Sequence, residues 1–172
     1  MDCVLEIDHL HKTFGPTRAL NDINLTIDRG QMVALLGPSG SGKSTLLRHL
    51  SGLVVADRGQ KCRVQVMGRD IQKGGALCPG VRRIRARVGF IFQQFNLVDR
   101  LSVLTNVLVG RLGRIPLWRS LLHRFTRSER QEALQALERV GIAEHALKRA
   151  SNLSGGQQQR AAIARALVQG AE

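Results

Sequence analysis

The sequence predicts an α/β domain built round a phosphate-binding loop, with an antiparallel strand pair near the N-terminus and a helical segment in the second half. Three observations carry this. Met32-Val33-Ala34-Leu35-Leu36 is a continuous apolar run, the pattern of a strand covered on both faces. Gly37-Pro38-Ser39-Gly40-Ser41-Gly42-Lys43-Ser44 follows at once and fits G-x-x-x-x-G-K-[ST]. Residues 44–53 then read as a helix, which completes the strand, loop, helix context that this motif requires.

The remaining elements follow from local pattern. Residues 4–8 alternate apolar and polar, as a half-buried strand does, and so do residues 23–27. Asp28-Arg29-Gly30 turns the chain before the apolar run. Residues 63–67 read as a strand, residues 73–80 as a loop rich in glycine, and Val88-Gly89-Phe90-Ile91-Phe92 as a second core strand. Residues 101–112 are apolar over a helical length until Ile115-Pro116 breaks them. Thr126 and Glu129 have the spacing of a capping box. After them Ala133, Leu134, Leu137 and Val140 share one helical face, and Gly141 can end the helix. Residues 161–167 are a strong helix former, and no repeat or low-complexity linker interrupts the chain.

Bulk properties bound the function. At 172 residues and 43% hydrophobic content the chain can bury a core, which excludes general disorder. No apolar run is long enough to span a bilayer, and Met1-Asp2-Cys3 opens without the features of a secretory signal. The expected setting is cytosolic, docked to a membrane protein. Cys3, Cys62 and Cys78 are widely spaced and read as free thiols. The net charge of +13 is concentrated: twelve Lys or Arg lie from Lys73 to Arg130 against two acids, Asp99 and Glu129. A nucleic-acid surface is one reading. Five Phe, one Trp and no Tyr leave few platforms for stacking bases, which opposes it. The alternative is a solvated basic face, or one turned to anionic headgroups beside a membrane partner.

In the loop, glycines 37, 40 and 42 let backbone N–H groups turn inward round an anion. Lys43 brings a point charge for the outer phosphates, Ser44 a hydroxyl for Mg²⁺, and Thr45 sits beside it. The following helix adds its positive end. Far downstream, Leu153-Ser154-Gly155-Gly156-Gln157 forms a second helix start, with Ser154 as N-cap and Gln157 in the first turn. Two such ends in one chain are most economically used by a head-to-tail dimer, each copy closing the other's site.

These two motifs together resemble the ATP-binding subunits of ABC transporters. The resemblance implies ATP and Mg²⁺ as ligands, held by Gly37, Pro38, Ser39, Gly40, Ser41, Gly42, Lys43, Ser44 and Thr45. It implies that Ser154, Gly155, Gly156 and Gln157 of a twin subunit seal the nucleotide. Phe14, in Lys12-Thr13-Phe14-Gly15, matches the aromatic that stacks on adenine. Gln93 matches the glutamine that senses Mg²⁺ and the attacking water, with Gln94 adjacent. Lys43 and Gln93 are thus the catalytic candidates, and Ser44 and Gln93 the metal candidates. The expected layout is a nucleotide-binding core over 1–95, a helical subdomain over 96–160 ending in the signature, and a return to the core at 161–172.

The resemblance also implies a later apolar strand ending in Asp-Glu, and a switch histidine. No such strand precedes Glu172, and His9, His11, His49, His123 and His145 do not match the switch position. The expectation is a chain truncated at its C-terminus that binds ATP without turnover and is of low stability. Partners implied are a second subunit, transmembrane permease subunits (with residues 97–114 at the docking surface) and, indirectly, a solute-binding protein, at the cytoplasmic face of the inner membrane. The stretches 37–52, 90–98, 111–120 and 153–168 resemble the ATP-binding subunits of bacterial phosphonate importers in particular; import of phosphate or amino acids is the nearest alternative, and a soluble ABC ATPase acting on nucleic acid the more distant one.

Overall fold

A computed structural model describes residues 3–59, 61–122 and 124–171. Met1, Asp2, Gln60, His123 and Glu172 lie outside the described residues. The chain divides into two compact units, Met1–Arg85 and Ala86–Glu172.

The first unit is a five-stranded sheet in the order β2-β1-β3-β4-β5, antiparallel throughout. Strands β1 (Cys3–Phe14) and β2 (Thr17–Asp28) form a long hairpin, extending well beyond the two short alternating stretches that predict them. Leu5 and Ile7 face inward by alternation. His9 then takes a left-handed φ of 48°, the register slips, and Leu10 becomes the buried residue in its place. Asp22, also left-handed at 51°, answers across the hairpin, with His9 Nδ1 2.7 Å from its carboxylate.

Strand β3 (Arg63–Val66) falls where sequence places it, and a two-residue turn at Met67-Gly68 leads into β4 (Arg69–Lys73). Residues 73–80, expected as loop, contain a short strand β5 (Ala76–Leu77) paired with Gln72 and Lys73. Gly74-Gly75, both at positive φ, supply the hairpin turn. Helix α1 (Lys43–Leu50) lays Leu46 and His49 on the sheet, and α2 (Val81–Arg85) buries Ile84.

Gln72 ties this core together. Fully buried, it accepts from the Ala56 N–H at 2.9 Å and donates to the carbonyls of His49 and Val54 at 2.9 and 2.8 Å. Burial pushes the His49 pKa down and the Lys12 ammonium adds to this, against the Thr45 carbonyl that accepts from its Nδ1 at 2.8 Å.

The expected strand at residues 32–36 is not formed. Met32 is 98% exposed and Leu36 91% exposed, and the segment carries no strand pairing. A strand exists only by hydrogen bonds to neighbours, and none of the described strands pairs with it. Residues 88–92 likewise lack strand pairing, although Phe90 and Phe92 pack with ring centroids 4.4 Å apart.

The second unit is helical. Its core joins α3 (Val103–Leu108), α5 (Arg127–Arg139) and α6 (Gly155–Gln169) through Val103, Val107, Leu137, Ile142, Ala161 and Ala164, among others. The predicted helix at 101–112 is α3 followed by a 3₁₀ turn, Val109–Gly113. Ser102 caps α3 by accepting from the Thr105 N–H. Pro116 starts the short α4 (Leu117–Leu121). The Thr126–Glu129 capping box forms as its spacing requires. Burial raises the Glu129 carboxyl, but the Thr126 backbone N–H and hydroxyl and the Arg119 guanidinium at 2.6 Å outweigh it and hold its pKa below the usual value. Buried Asn106 accepts from the Val98 N–H at 2.7 Å and donates to nearby carbonyls, fixing the segment before α3.

Candidate functional site

The phosphate loop runs over residues 37–44 at the start of α1. Gly37, Gly40 and Gly42 all have positive φ, at 150°, 83° and 86°. At Gly42 the restriction is double, because a Cβ there would also collide with the carbonyl of Ala19 in β2. The Lys43 ammonium bends back across the loop and donates to the carbonyls of Gly37 and Pro38, each at 2.7 Å, and to Ser41 Oγ at 3.0 Å. Pro38, Ser39 and Ser44 are exposed, and Thr45 is half-buried. No side chain caps α1, so its first-turn amides are directed at whatever occupies the loop.

Phe14 is brought to the same end of this unit. It pairs with Thr17 at the tip of the first hairpin, two residues along β2 from the Ala19 that touches Gly42. Its ring is 49% exposed, and the Lys12 ammonium lies 5.2 Å from its centroid. That cation stands two residues back along β1, on the same face of the strand as the ring.

Gln93 and Gln94 belong to the second unit, exposed in the turn over residues 93–96. Phe95 and Asn96 take left-handed φ values of 57° and 48° there. Arg165, on α6, grips that turn from behind with bonds to the carbonyls of Asn96 and Phe95 at 2.8 and 2.7 Å. Burial pushes the Arg165 pKa down.

Ser154 and Gln157 form a reciprocal capping box at the start of α6. Ser154 Oγ accepts from the Gln157 N–H at 3.4 Å, and Gln157 Oε1 accepts from the Ser154 N–H at 2.9 Å. The Gln157 amide nitrogen then faces His145 Nε2 at 2.7 Å. With Oε1 already committed to Ser154, the amide donates and His145 Nε2 accepts. Gly155 and Gly156 have open space where a Cβ would stand, so the face of the helix start is unencumbered.

A profile for the family described as ABC transporter matches residues 20–172. The chain belongs to the ABC transporter family. Over all 172 residues it is 57% identical to a phosphonates import ATP-binding protein of Shigella dysenteriae, 58% to one of Stutzerimonas stutzeri and 56% to one of Escherichia coli O157:H7. It spans 66%, 62% and 66% of those proteins respectively. Among solved structures it superposes on a dimeric bacterial ABC transporter cassette with a TM-score of 0.80 and 32% identity, covering 97% of this chain and 70% of that one. A dimeric post-hydrolysis state of an ATP-binding cassette bound to ADP and Pi gives 0.76 and 34%, with the same coverage. These likenesses bear out the α/β phosphate-loop class with its antiparallel strands and helical subdomain, and the resemblance drawn from the two motifs.

Proposed function

We propose that this chain is the nucleotide-binding portion of an ATP-binding subunit that powers import of phosphonate. The observation that carries the reading is the loop itself: three positive-φ glycines, a lysine ammonium folded over the loop mouth, and an uncapped helix start. In this reading Gly37 to Ser44 and Thr45 hold the phosphates of ATP. Lys43 trades its carbonyl partners for phosphate oxygens, and Phe14 supports the adenine. The exposed Ser44 hydroxyl suits Mg²⁺, which keeps phosphates and water as most of its ligands. Gln93 is assigned to the metal and the attacking water. Ser154, Gly155, Gly156 and Gln157 of a second subunit close the site in a head-to-tail homodimer; the two dimeric cassettes support a dimer. Functionally, residues 1–95 serve as the nucleotide-binding core, 96–160 as the helical subdomain and 161–172 as a return to the core.

For the protein at the length of its relatives, we assign ATP hydrolysis coupled to transmembrane permease subunits at the cytoplasmic face of the inner membrane, fed by a solute-binding protein. The substrate assignment rests on relatives named for phosphonates import at 55–59% identity. Among the described residues no helix is long and apolar enough to cross a membrane.

Calorimetric titration with ATP and Mg²⁺ tests the core of this reading. Saturable, magnesium-dependent binding that Lys43→Ala abolishes is expected. Binding unaffected by Lys43→Ala would overturn it.

A further inference from the structure

The nucleotide site leaves one surface unused, on and round α4. Trp118 is 58% exposed, and Leu122, one turn on and on the same side of the helix, is 61% exposed. Arg119 anchors the helix from the other side through Glu129 at 2.6 Å and the Arg124 carbonyl at 3.2 Å. The two apolar side chains are therefore held outward by a structured base.

The surrounding charge has one sign. From Arg100 to Ser128 there are six arginines and no Asp or Glu. Arg111 is paired with Glu132 at 2.8 Å and Arg119 with Glu129, but Arg124 and Arg127 are exposed and form no ion pair among the described residues.

We propose that α4 with Arg124 and Arg127 docks on the headgroup layer of an anionic phospholipid bilayer. An indole has an apolar body and a polar N–H edge, and it partitions to the interface between headgroup and chain. Guanidinium groups beside it meet lipid phosphates. Among the described residues the exposed apolar side chains here are Trp118 and Leu122, sufficient for shallow insertion when charge assists. Nucleic acid would match the charge but would leave Leu122 unaccommodated. The inference is independent of the ATP reading, since neither the phosphate loop nor the signature takes part; it adds a direct lipid contact to the membrane docking proposed above.

Trp118 is the one tryptophan of the chain, so its emission reports this spot alone. The purified chain is titrated with vesicles of phosphatidylcholine containing phosphatidylglycerol, and with pure phosphatidylcholine. A blue shift, quenching by brominated acyl chains and reversal at 1 M salt are expected with the anionic vesicles only. Arg124→Gln with Arg127→Gln is expected to weaken partitioning about 25-fold, roughly fivefold for each charge near the surface. Trp118→Ala, followed by sedimentation with the vesicles, is expected to weaken it as well. The same charge change on α2, Arg82→Gln with Arg83→Gln, is expected to weaken it less than threefold. The proposal falls if the anionic vesicles produce no shift, if neutral vesicles produce an equal one, if the α2 pair matters as much as the α4 pair, or if duplex DNA shifts the emission where vesicles do not.

Discussion

Replacing Gln72 by leucine removes three hydrogen bonds from the interior of the first unit while nearly preserving volume. The Ala56 N–H and the carbonyls of His49 and Val54 lose partners now at 2.8–2.9 Å, and burial bars water from replacing them. An unsatisfied buried polar group costs about 1–3 kcal/mol. The His49 carbonyl keeps the Gly52 N–H at 2.9 Å, so two groups are left unpartnered, one of them a carbonyl at the cheaper end, which gives roughly 2–4 kcal/mol. That is a large share of the 5–15 kcal/mol that typically holds a domain folded. The loss is local to the C-terminal end of α1, whose N-terminal end is the phosphate loop. Amide hydrogen exchange read by mass spectrometry on peptides covering residues 43–57 is the direct assay. At about 1.4 kcal/mol per decade, protection there is expected to fall by roughly one and a half to three decades. ATP affinity is expected to fall with it, because the helix end that presents the loop loosens. Gln72→Leu protein with protection within threefold of the parent would refute the reasoning, since it would mean that those bonds do not hold the helix.

Gly42→Ala is expected to abolish ATP binding and to destabilise the first unit by at least about 2 kcal/mol, because it combines a left-handed backbone with a collision at the Ala19 carbonyl; thermal denaturation measures it. Ser154→Ala removes the N-cap of α6 and is expected to cost about 1 kcal/mol, with Ser154→Asp recovering most of it in urea unfolding. The pKa of His49 is lowered in the folded state, so the unfolded chain takes up its proton first. The stabilisation tied to the neutral imidazole is complete above the unfolded value of about 6.5 and is lost as pH falls through the folded value. A thermal midpoint that declines with acidification below that value, and a decline made shallower by His49→Gln, are expected.

What could be read from sequence was local. The Thr126–Glu129 box and the Ser154–Gln157 box each span three residues, so spacing alone carries them. Met67-Gly68 and Gly74-Gly75 are local as well. Their hairpins were legible in principle, since residues at positive φ in both central positions are what a two-residue turn needs. The apolar run at 32–36 marks the opposite case. Its composition states what environment it wants, whereas a strand is defined by partners elsewhere in the chain. Gln72, Asn106, His145 and Arg165 were out of reach for the same reason. Their partners lie from 4 to 70 positions away, and nothing in the flanking residues announces a buried amide or guanidinium that binds main chain.

The double grip of Arg165 on the Phe95 and Asn96 carbonyls has a mechanical consequence. Eleven residues separate Ser154 from Arg165 along one uninterrupted helix, a stiff rod of about 16 Å at 1.5 Å per residue. Two bonds from one planar fork resist sliding and pivoting better than a single contact would. A tilt of about 5° about the serine end thus carries the glutamine-bearing turn through about 1.4 Å, half a hydrogen-bond length. Pressure applied at one end of the rod is delivered to Gln93 as displacement, with the guanidinium as the coupling pin.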